Sequence, residues 1–262
     1  MVDLQFVKYS VQNHVAHLTL NRPPVNALNR QLAGEIFAAA NLVNQDAERS
    51  QVRVAILSSA GPHFCAGADL KERKEIPEDQ VAQVVQGIRE AVQAVANIKV
   101  PTLAAIRGSA LGGGMELALA ADIRILSENA KMGLRETALG ILPGAGGTQR
   151  LPRLIGYARA LEWVATAWVF DAPECVQQGV ASRVVPDGAL ADAALHCARL
   201  IAANGPLAVQ YAKEAMQHGL DQPLAAALDL EFECYRRIIP TADRREALAA
   251  FGEKRTPVFR GK

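Results

Sequence analysis

The chain has 262 residues, 50% of them hydrophobic, and its 28 Lys and Arg against 27 Asp and Glu leave a formal charge of +1. This composition excludes intrinsic disorder, which needs low apolar content and high net charge, and it excludes a nucleic-acid binder that works through a basic excess. The longest uncharged stretch, 54–68, is shorter than the ~20 apolar residues that span a bilayer, so we expect no membrane association.

Short apolar runs alternate with helical patterns along the first part of the chain, which predicts an α/β body built from βαβ-type units. A turn-rich segment, 58–67, and a charged stretch, 71–79, interrupt the alternation. The predicted elements are a hairpin of strands 6–10 and 15–20 with Gln12 and Asn13 in the turn, helix 29–44, strand 52–57, helix 80–98, strand 101–106, helix 115–121 and strand 123–126.

The character of the chain changes after residue 204, where three helical patterns follow one another. We therefore predict an α/β core over 1–203 that carries the active site, followed by a helical region over 204–262. The predicted helices are 206–218, 224–236 and 241–253, and the second has an apolar stripe of Ala225, Ala226, Leu228, Phe232 and Tyr235.

Three segments rich in small residues are candidates for chemistry. In 64–71, small side chains let a ligand approach the backbone, although a tight strand-to-helix loop has the same pattern. In 108–116, three consecutive glycines precede a helix whose first N–H groups can bind an oxyanion. The third candidate combines 132–137 with the glycine-rich loop 142–150.

Two carboxylates accompany these segments. Glu116 falls in the first turn of the predicted helix, and Glu136 follows a glycine turn. The pattern alone leaves open that Glu116 is a surface carboxylate favoured by the helix dipole and that Glu136 is an exposed loop charge. Two converging N–H donors can stabilise an enolate or a tetrahedral oxyanion, and two carboxylates can activate a water and shuttle a proton.

Spacing excludes several other chemistries. Neither glycine cluster completes GxGxxG, no Gly-Lys-Ser/Thr of a P-loop occurs, and Ser109 lies one place early for a GxSxG nucleophile elbow. The five histidines sit in no motif. Scattered cysteines without CxxC, and an N-terminus without a targeting pattern, predict reduced thiols, no metal site and a cytoplasmic location; the cysteines are Cys65, Cys175, Cys197 and Cys234.

Three long motifs resemble those of the enoyl-CoA hydratase/isomerase (crotonase) superfamily: FCAGADLKE at 64–72, ALGGGMELALAADIRI at 110–125 and PGAGGTQRLPR at 143–153. The match extends over 21–255, nearly the whole chain. The resemblance implies a crotonase spiral of ββα units with a C-terminal helical trimerisation region. It also implies an acyl-CoA thioester substrate, no separate cofactor, and a homotrimer or a dimer of trimers.

The resemblance assigns roles to individual residues. Ala68 and Gly113 would supply the two N–H groups of an oxyanion hole, and Glu116 and Glu136 would be the catalytic acids. The implied CoA contacts are Ala66, Asp69, Leu70 and Lys71 in one subunit, with Phe251 and Lys254 reaching the CoA of a neighbouring subunit.

Both carboxylates together favour an enoyl-CoA hydratase, which adds water across the C2=C3 bond. A Δ3,Δ2-enoyl-CoA isomerase and a non-catalytic acyl-CoA binding module remain alternatives. Arg135, where short-chain hydratases commonly have Pro, resembles the 3-methylglutaconyl-CoA hydratase branch and either pairs with a distal substrate carboxylate or forms a surface salt bridge. That branch is associated with RNA binding through a lysine-rich helix, but residues 31–44 contain no lysine, so we predict no nucleic-acid binding.

Overall fold

The computed structural model describes residues 4–262, which form two sheets and eleven α-helices. The strands are β1 Val7–Gln12, β2 Val15–Leu20, β3 Val54–Ser59, β4 Thr102–Ile106, β5 Ser109–Leu111, β6 Ile123–Ser127, β7 Lys131–Gly133, β8 Phe170–Asp171 and β9 Arg183–Val185. The helices are α1 Arg30–Glu48, α2 Leu70–Glu75, α3 Glu78–Ala96, α4 Gly113–Ala120, α5 Gly147–Ile155, α6 Tyr157–Thr166, α7 Ala172–Gln177, α8 Leu190–Ala202, α9 Pro206–Gly219, α10 Leu224–Ile238 and α11 Ala242–Gly252.

The larger sheet has six strands in the order β1-β2-β3-β4-β6-β9. All neighbouring pairs are parallel except β1 with β2, which form an antiparallel hairpin. The turn residues are Asn13 and His14, at φ 51° and 64°. Positive φ at both positions gives the twist that joins two strands tightly. The predicted turn was therefore one residue too early.

Both faces of the parallel strands are buried, as is expected of a parallel sheet covered by helices on each side. On β3, Ala55 and Leu57 belong to the core shared with α1, α3 and α4, whereas Val54 and Ile56 belong to a second core. The second core packs against α8, whose buried face includes Ala194. The sheet is therefore a rigid central layer from which the loops at its carboxyl edge extend.

A second, three-stranded sheet in the order β5-β7-β8 lies next to the site. Its strands have only two or three residues each, and the sequence pattern predicted none of them as strands. The charged stretch 71–79 also contains a short helix, α2, which the pattern did not predict. The short strands form because neighbouring backbone pairs with them, and they are too short to show a hydrophobic period of their own.

The three predicted C-terminal helices are confirmed as α9, α10 and α11, and the predicted boundary at 203/204 falls between α8 and α9. Lys213 on α9 ties this region to the body, because its Nζ donates to the Val100 carbonyl at 3.0 Å and to Asp122 at 2.6 Å. No helix within residues 4–262 has both the length and the apolar character needed to cross a bilayer.

Candidate active site

A cavity of about 360 Å³ lies over the N-terminus of α4. The four residues expected to act together all line it: Ala68, Gly113, Glu116 and Glu136. Much of the remaining wall is apolar and comes from α3 and from the segment 138–142. The four predicted residues therefore share one cavity, and the sequence pattern alone could not establish that they lie close together.

Two backbone N–H groups meet at the floor of this cavity. Within residues 4–262, neither the Ala68 N–H nor the Gly113 N–H has a hydrogen-bond acceptor. A β-carbon built on Gly113 would lie 3.9 Å from the Ala68 nitrogen, so the two amides are neighbours. Gly113 is also the first residue of α4, where the helix dipole adds positive charge. This pair can hold a carbonyl oxygen that gains negative charge.

The main chain itself sets the spacing of the two donors. Cys65 donates its N–H to the Ser109 carbonyl at 2.9 Å, and its carbonyl accepts the Leu111 N–H at 3.0 Å. On the other side, the Leu28 N–H donates to the Gly67 carbonyl at 2.8 Å. The segment that carries Ala68 is thus bonded between β5 and the start of α1.

Close contacts explain two of the three consecutive glycines. Gly112 has φ +51°, and a β-carbon there would lie 3.0 Å from Glu136 Oε1. A β-carbon on Gly114 would collide with the Cys65 carbonyl oxygen. Side chains at these positions would therefore displace either a carboxylate or the segment that carries Ala68.

Glu116 lies in the first turn of α4 and its side chain is buried, so the alternative of a surface carboxylate is wrong. Its Oε1 accepts the N–H of Ala145 at 2.7 Å and the N–H of Gly147 at 2.8 Å. Burial raises the pKa of Glu116, whereas these two hydrogen bonds and the charge of Arg150 oppose that rise. One oxygen is thus fixed, and the other is free to act as a base.

Glu136 begins a 3₁₀ turn, Glu136–Leu139, and it is also buried rather than an exposed loop charge. Within residues 4–262 its Oε2 has no hydrogen-bond partner. Burial, followed by the nearby charge of Glu116, raises the pKa of Glu136 to about 7. A carboxyl group with this pKa can donate a proton near neutral pH.

The predicted CoA-binding residues fall into three groups. Ala66 and Leu70 line the cavity. The Asp69 carboxylate pairs with Arg22 at 2.7 Å and accepts N–H bonds from the first turn of α2, so it holds the local fold. Lys71 is exposed beside the cavity, and Phe251 and Lys254 lie at the end of α11, outside its wall. Contact of these residues with CoA stays a prediction.

Sequence reasoning missed several groups that lie in or behind the cavity wall. It singled out the glycine-rich loop 142–150, but nothing in the pattern linked the Ala145 and Gly147 amides to Glu116. It also missed Arg73, which lines the cavity, and Arg150, which packs behind the loop. Within residues 4–262, no three His, Cys, Asp or Glu side chains are grouped to hold a metal ion.

Comparison with known proteins assigns the family. The family described as enoyl-CoA hydratase/isomerase matches residues 10–262. The chain belongs to this family. A crystal structure of enoyl-CoA hydratase from Bacillus anthracis is 45% identical, covers 98% of this chain and 100% of its own, and superposes with a TM-score of 0.94. The crotonase fold expected from the motifs is therefore confirmed.

Curated relatives in the enoyl-CoA hydratase/isomerase family carry different activity names. The enoyl-CoA isomerase/hydratase fer4 of Mycosarcoma maydis is 43% identical over 255 residues, 95% of this chain and 93% of the relative. The mitochondrial methylglutaconyl-CoA hydratase of Homo sapiens is 45% identical over 241 residues, 90% of this chain and 70% of the relative. Family membership thus leaves the reaction and the acyl group to be argued from the site.

Proposed function

We propose that this protein is an enoyl-CoA hydratase, which adds water syn across the C2=C3 bond of a 2-enoyl-CoA thioester and gives a 3-hydroxyacyl-CoA. The observation that carries the proposal is that one cavity is lined by two buried carboxylates and by two amides that have no acceptor within the described part of the chain, 4–262. An isomerase needs one proton relay, and a binding module needs none, whereas hydration uses a base for the water and an acid for the carbon.

In the proposed reaction, the thioester oxygen accepts hydrogen bonds from the Ala68 and Gly113 amides. Glu116 removes a proton from water as the water oxygen forms a bond to C3. The electron pair of the C2=C3 bond moves towards the thioester, and the two amides stabilise the resulting enolate. Glu136 then donates its proton to C2. Loss of one such oxyanion donor typically costs about 3–4 kcal/mol of transition-state stabilisation. The reaction uses no cofactor besides the CoA of the substrate.

The contacts support this division of roles between the carboxylates. Burial raises the pKa of Glu116, and the two N–H donors and the charge of Arg150 oppose that rise in favour of the ionised form that a base requires. Among the residues that the structure describes, none donates a hydrogen bond to Glu136 Oε2, and the pKa of about 7 keeps a large fraction of Glu136 protonated at neutral pH. The singly protonated pair, with the proton on Glu136, is the form that hydrates substrate.

The test is loss of the conjugated thioester absorbance when purified protein is mixed with crotonyl-CoA. We expect turnover by the native protein and a loss of at least about 10²-fold in kcat for Glu116→Gln and for Glu136→Gln. Glu162→Gln, an exposed carboxylate on α6, is the matched control and should retain full activity. Absence of hydration with every 2-enoyl-CoA tried would reject the proposal.

The same variants separate hydratase from isomerase. A proton relay through Glu136 alone can convert a C3=C4 double bond into a C2=C3 double bond, by removing a proton from C2 and returning one to C4. If the main reaction is isomerisation of a 3-enoyl-CoA, Glu116→Gln will retain it. Under our proposal, the native protein turns over 2-enoyl-CoA much faster than 3-enoyl-CoA, and Glu116→Gln loses the faster reaction.

A second candidate is hydration of an acyl chain that ends in a carboxylate, as in 3-methylglutaconyl-CoA. Two arginines, Arg73 and Arg135, line the cavity, and within residues 4–262 neither forms an ion pair or donates a side-chain hydrogen bond. Relatives named methylglutaconyl-CoA hydratase are 45% identical. If these arginines bind a distal carboxylate, Arg73→Ala and Arg135→Ala will lower kcat/KM for 3-methylglutaconyl-CoA far more than for crotonyl-CoA. Equal losses with the two substrates would reject this candidate.

We also propose a homotrimer or a dimer of trimers, in which Phe251 and Lys254 reach the CoA bound to a neighbouring subunit. Their position outside the cavity of their own chain and the 86% exposure of Phe251 support this role. Nucleic acid is not a proposed partner, since α1 carries no lysine.

A further inference from the structure

We propose that Arg150 is a positioning residue for the reaction: it holds the turn 145–147 in the form that binds Glu116, and it places a positive charge behind that turn. This inference rests on the proposed function, because it assigns Glu116 the role of base. Arg150 does not line the substrate cavity, so it would act through Glu116 and not by touching the substrate.

The turn 145–147 contacts Glu116 through its N–H groups and Arg150 through its carbonyl groups. The Ala145 and Gly147 N–H groups donate to Glu116 Oε1. The Ala145 carbonyl accepts a hydrogen bond from Arg150 Nη1 at 3.0 Å. Arg150 also donates its backbone N–H to the Gly146 carbonyl at 2.8 Å. The peptide groups that bind the carboxylate are thus held from behind by a single residue.

The guanidinium packs directly against the turn. A β-carbon on Gly146 would collide with Arg150 Nη1, and Gly146 itself has φ +107°. Glycine at this position therefore allows both the left-handed backbone and the close approach of the guanidinium.

A second anchor fixes the other end of the guanidinium. Nη2 donates to Gln93 Oε1 at 2.8 Å, and Gln93 Nε2 donates to Asn97 Oδ1 at 2.8 Å. Gln93 belongs to α3, which also supplies Val85 and Ile88 to the cavity wall. Arg150 thus connects α3, the turn and the catalytic carboxylate.

The positive charge of Arg150 interacts with the carboxylate of Glu116. Among residues 4–262, Glu116 is the acidic group whose charge acts on Arg150, and Arg150 in turn favours the ionised form of Glu116. Arg150 is itself about half-buried, so solvent screens this interaction less than it screens a surface pair. Substitution by lysine separates the hydrogen bonding of Arg150 from the effect of its charge. Lysine keeps the positive charge but lacks the planar guanidinium that reaches the Ala145 carbonyl and Gln93 together.

The experiment compares Arg150→Met, Arg150→Lys and Arg153→Met in the full-length protein, with crotonyl-CoA as substrate. For Arg150→Met we expect kcat to fall about 10–100-fold, as for a slightly misplaced catalytic group, while KM changes less than about 3-fold. The acid limb of its kcat/KM profile should move to higher pH. Arg150→Lys should restore the acid limb but leave kcat low. Arg153, which pairs with exposed Asp221 one turn later, is the matched control and should behave as the native protein.

A titration of ¹³C-labelled glutamate side chains by NMR gives a readout that needs no turnover, with the Glu116 signal assigned by Glu116→Gln. We expect the Glu116 titration to move to higher pH in Arg150→Met and to stay near the native position in Arg150→Lys. An unmoved Glu116 titration in Arg150→Met, or a kcat within 2-fold of the native value, would overturn the proposal. If Arg150→Met does not fold, Arg150→Lys and Gln93→Leu decide by their kcat: a loss supports the proposal, and native values overturn it. Failure of the hydratase proposal is separately visible as an inactive native protein.

Discussion

In the proposed hydratase reaction, Glu116 and Glu136 share one proton, and this sharing has a consequence for pH dependence. Hydration begins with the proton on Glu136 and leaves it on Glu116, whereas dehydration begins with the reverse arrangement. Both directions therefore need a singly protonated pair. We expect kcat/KM to have the same bell-shaped profile for hydration and for dehydration.

The alkaline limb of that profile is set by loss of the proton from Glu136, whose pKa is raised to about 7. We predict that kcat/KM for crotonyl-CoA falls by about tenfold per pH unit above this value. Steady-state rates between pH 5 and 9, in both directions, provide the measurement. A profile that stays flat between pH 6 and 9 would contradict the assignment of Glu136 as the acid.

The same carboxyl group should limit stability. Its folded pKa of about 7 exceeds its ordinary value of 4.5, so its contribution to stability is full below about pH 4.5 and is lost as the pH rises to 7. At about 1.4 kcal/mol per pKa unit, the loss approaches ~3 kcal/mol. We predict that Glu136→Gln gains about 2 kcal/mol of unfolding free energy over the native protein between pH 5 and pH 8. Urea unfolding at fixed protein concentration measures this difference, and a pH-independent difference would contradict it.

At the scale of elements, the start of α4 leaves no room for an added side chain at Gly114. We predict that Gly114→Ala lowers both the thermal midpoint and kcat, because the added methyl group collides with the Cys65 carbonyl beside the Ala68 segment. Gly34→Ala on α1 is the matched control, since a β-carbon there meets nothing within 4 Å. We expect that control to be stabilised by roughly 0.5–1 kcal/mol with full activity. Differential scanning fluorimetry with kcat measurements tests both, and native values for Gly114→Ala would contradict the geometry.

Elements with a strong period of their own could be predicted from the sequence, and elements that depend on a partner could not. The runs at β2, β4 and β6 carry enough apolar side chains to indicate strands. By contrast, β5 and β7 have three residues each and exist because they pair with each other next to Cys65. The local sequence pattern also did not predict the order of the strands in the sheet.

The candidate site shows the same division. Ala68, Gly113, Glu116 and Glu136 could be named from motif resemblance, and the structure brings them together. The bonds of Ala145 and Gly147 to Glu116 join residues about thirty positions apart, and the contact of Arg150 with Gln93 spans 57 positions. Contacts over such separations depend on how α3 and α5 pack, and a local sequence pattern does not predict that packing.

At the scale of the whole molecule, the C-terminal helices expose large apolar side chains. Leu220, Leu224 and Phe232 are 81%, 74% and 61% exposed in the single chain. Large apolar side chains exposed together on neighbouring helices are typical of an interface. We predict that sedimentation analysis gives the mass of three or six chains and that Phe232→Glu gives smaller species. Leu200→Glu, at a leucine 59% exposed on α8, is the matched control. A native protein that sediments as one chain would contradict the prediction.

In the proposed reaction, the two donors to the thioester oxygen are peptide groups, and hydrogen bonds between main-chain atoms of Cys65, Ser109 and Leu111 fix their separation. The groups that handle protons are side chains. Substitution of Glu116 or Glu136 can therefore change how protons are transferred, while the two main-chain amides still polarise the thioester carbonyl. A chain built in this way can exchange one thioester reaction for another through point changes at positions 116 and 136, without rebuilding its scaffold.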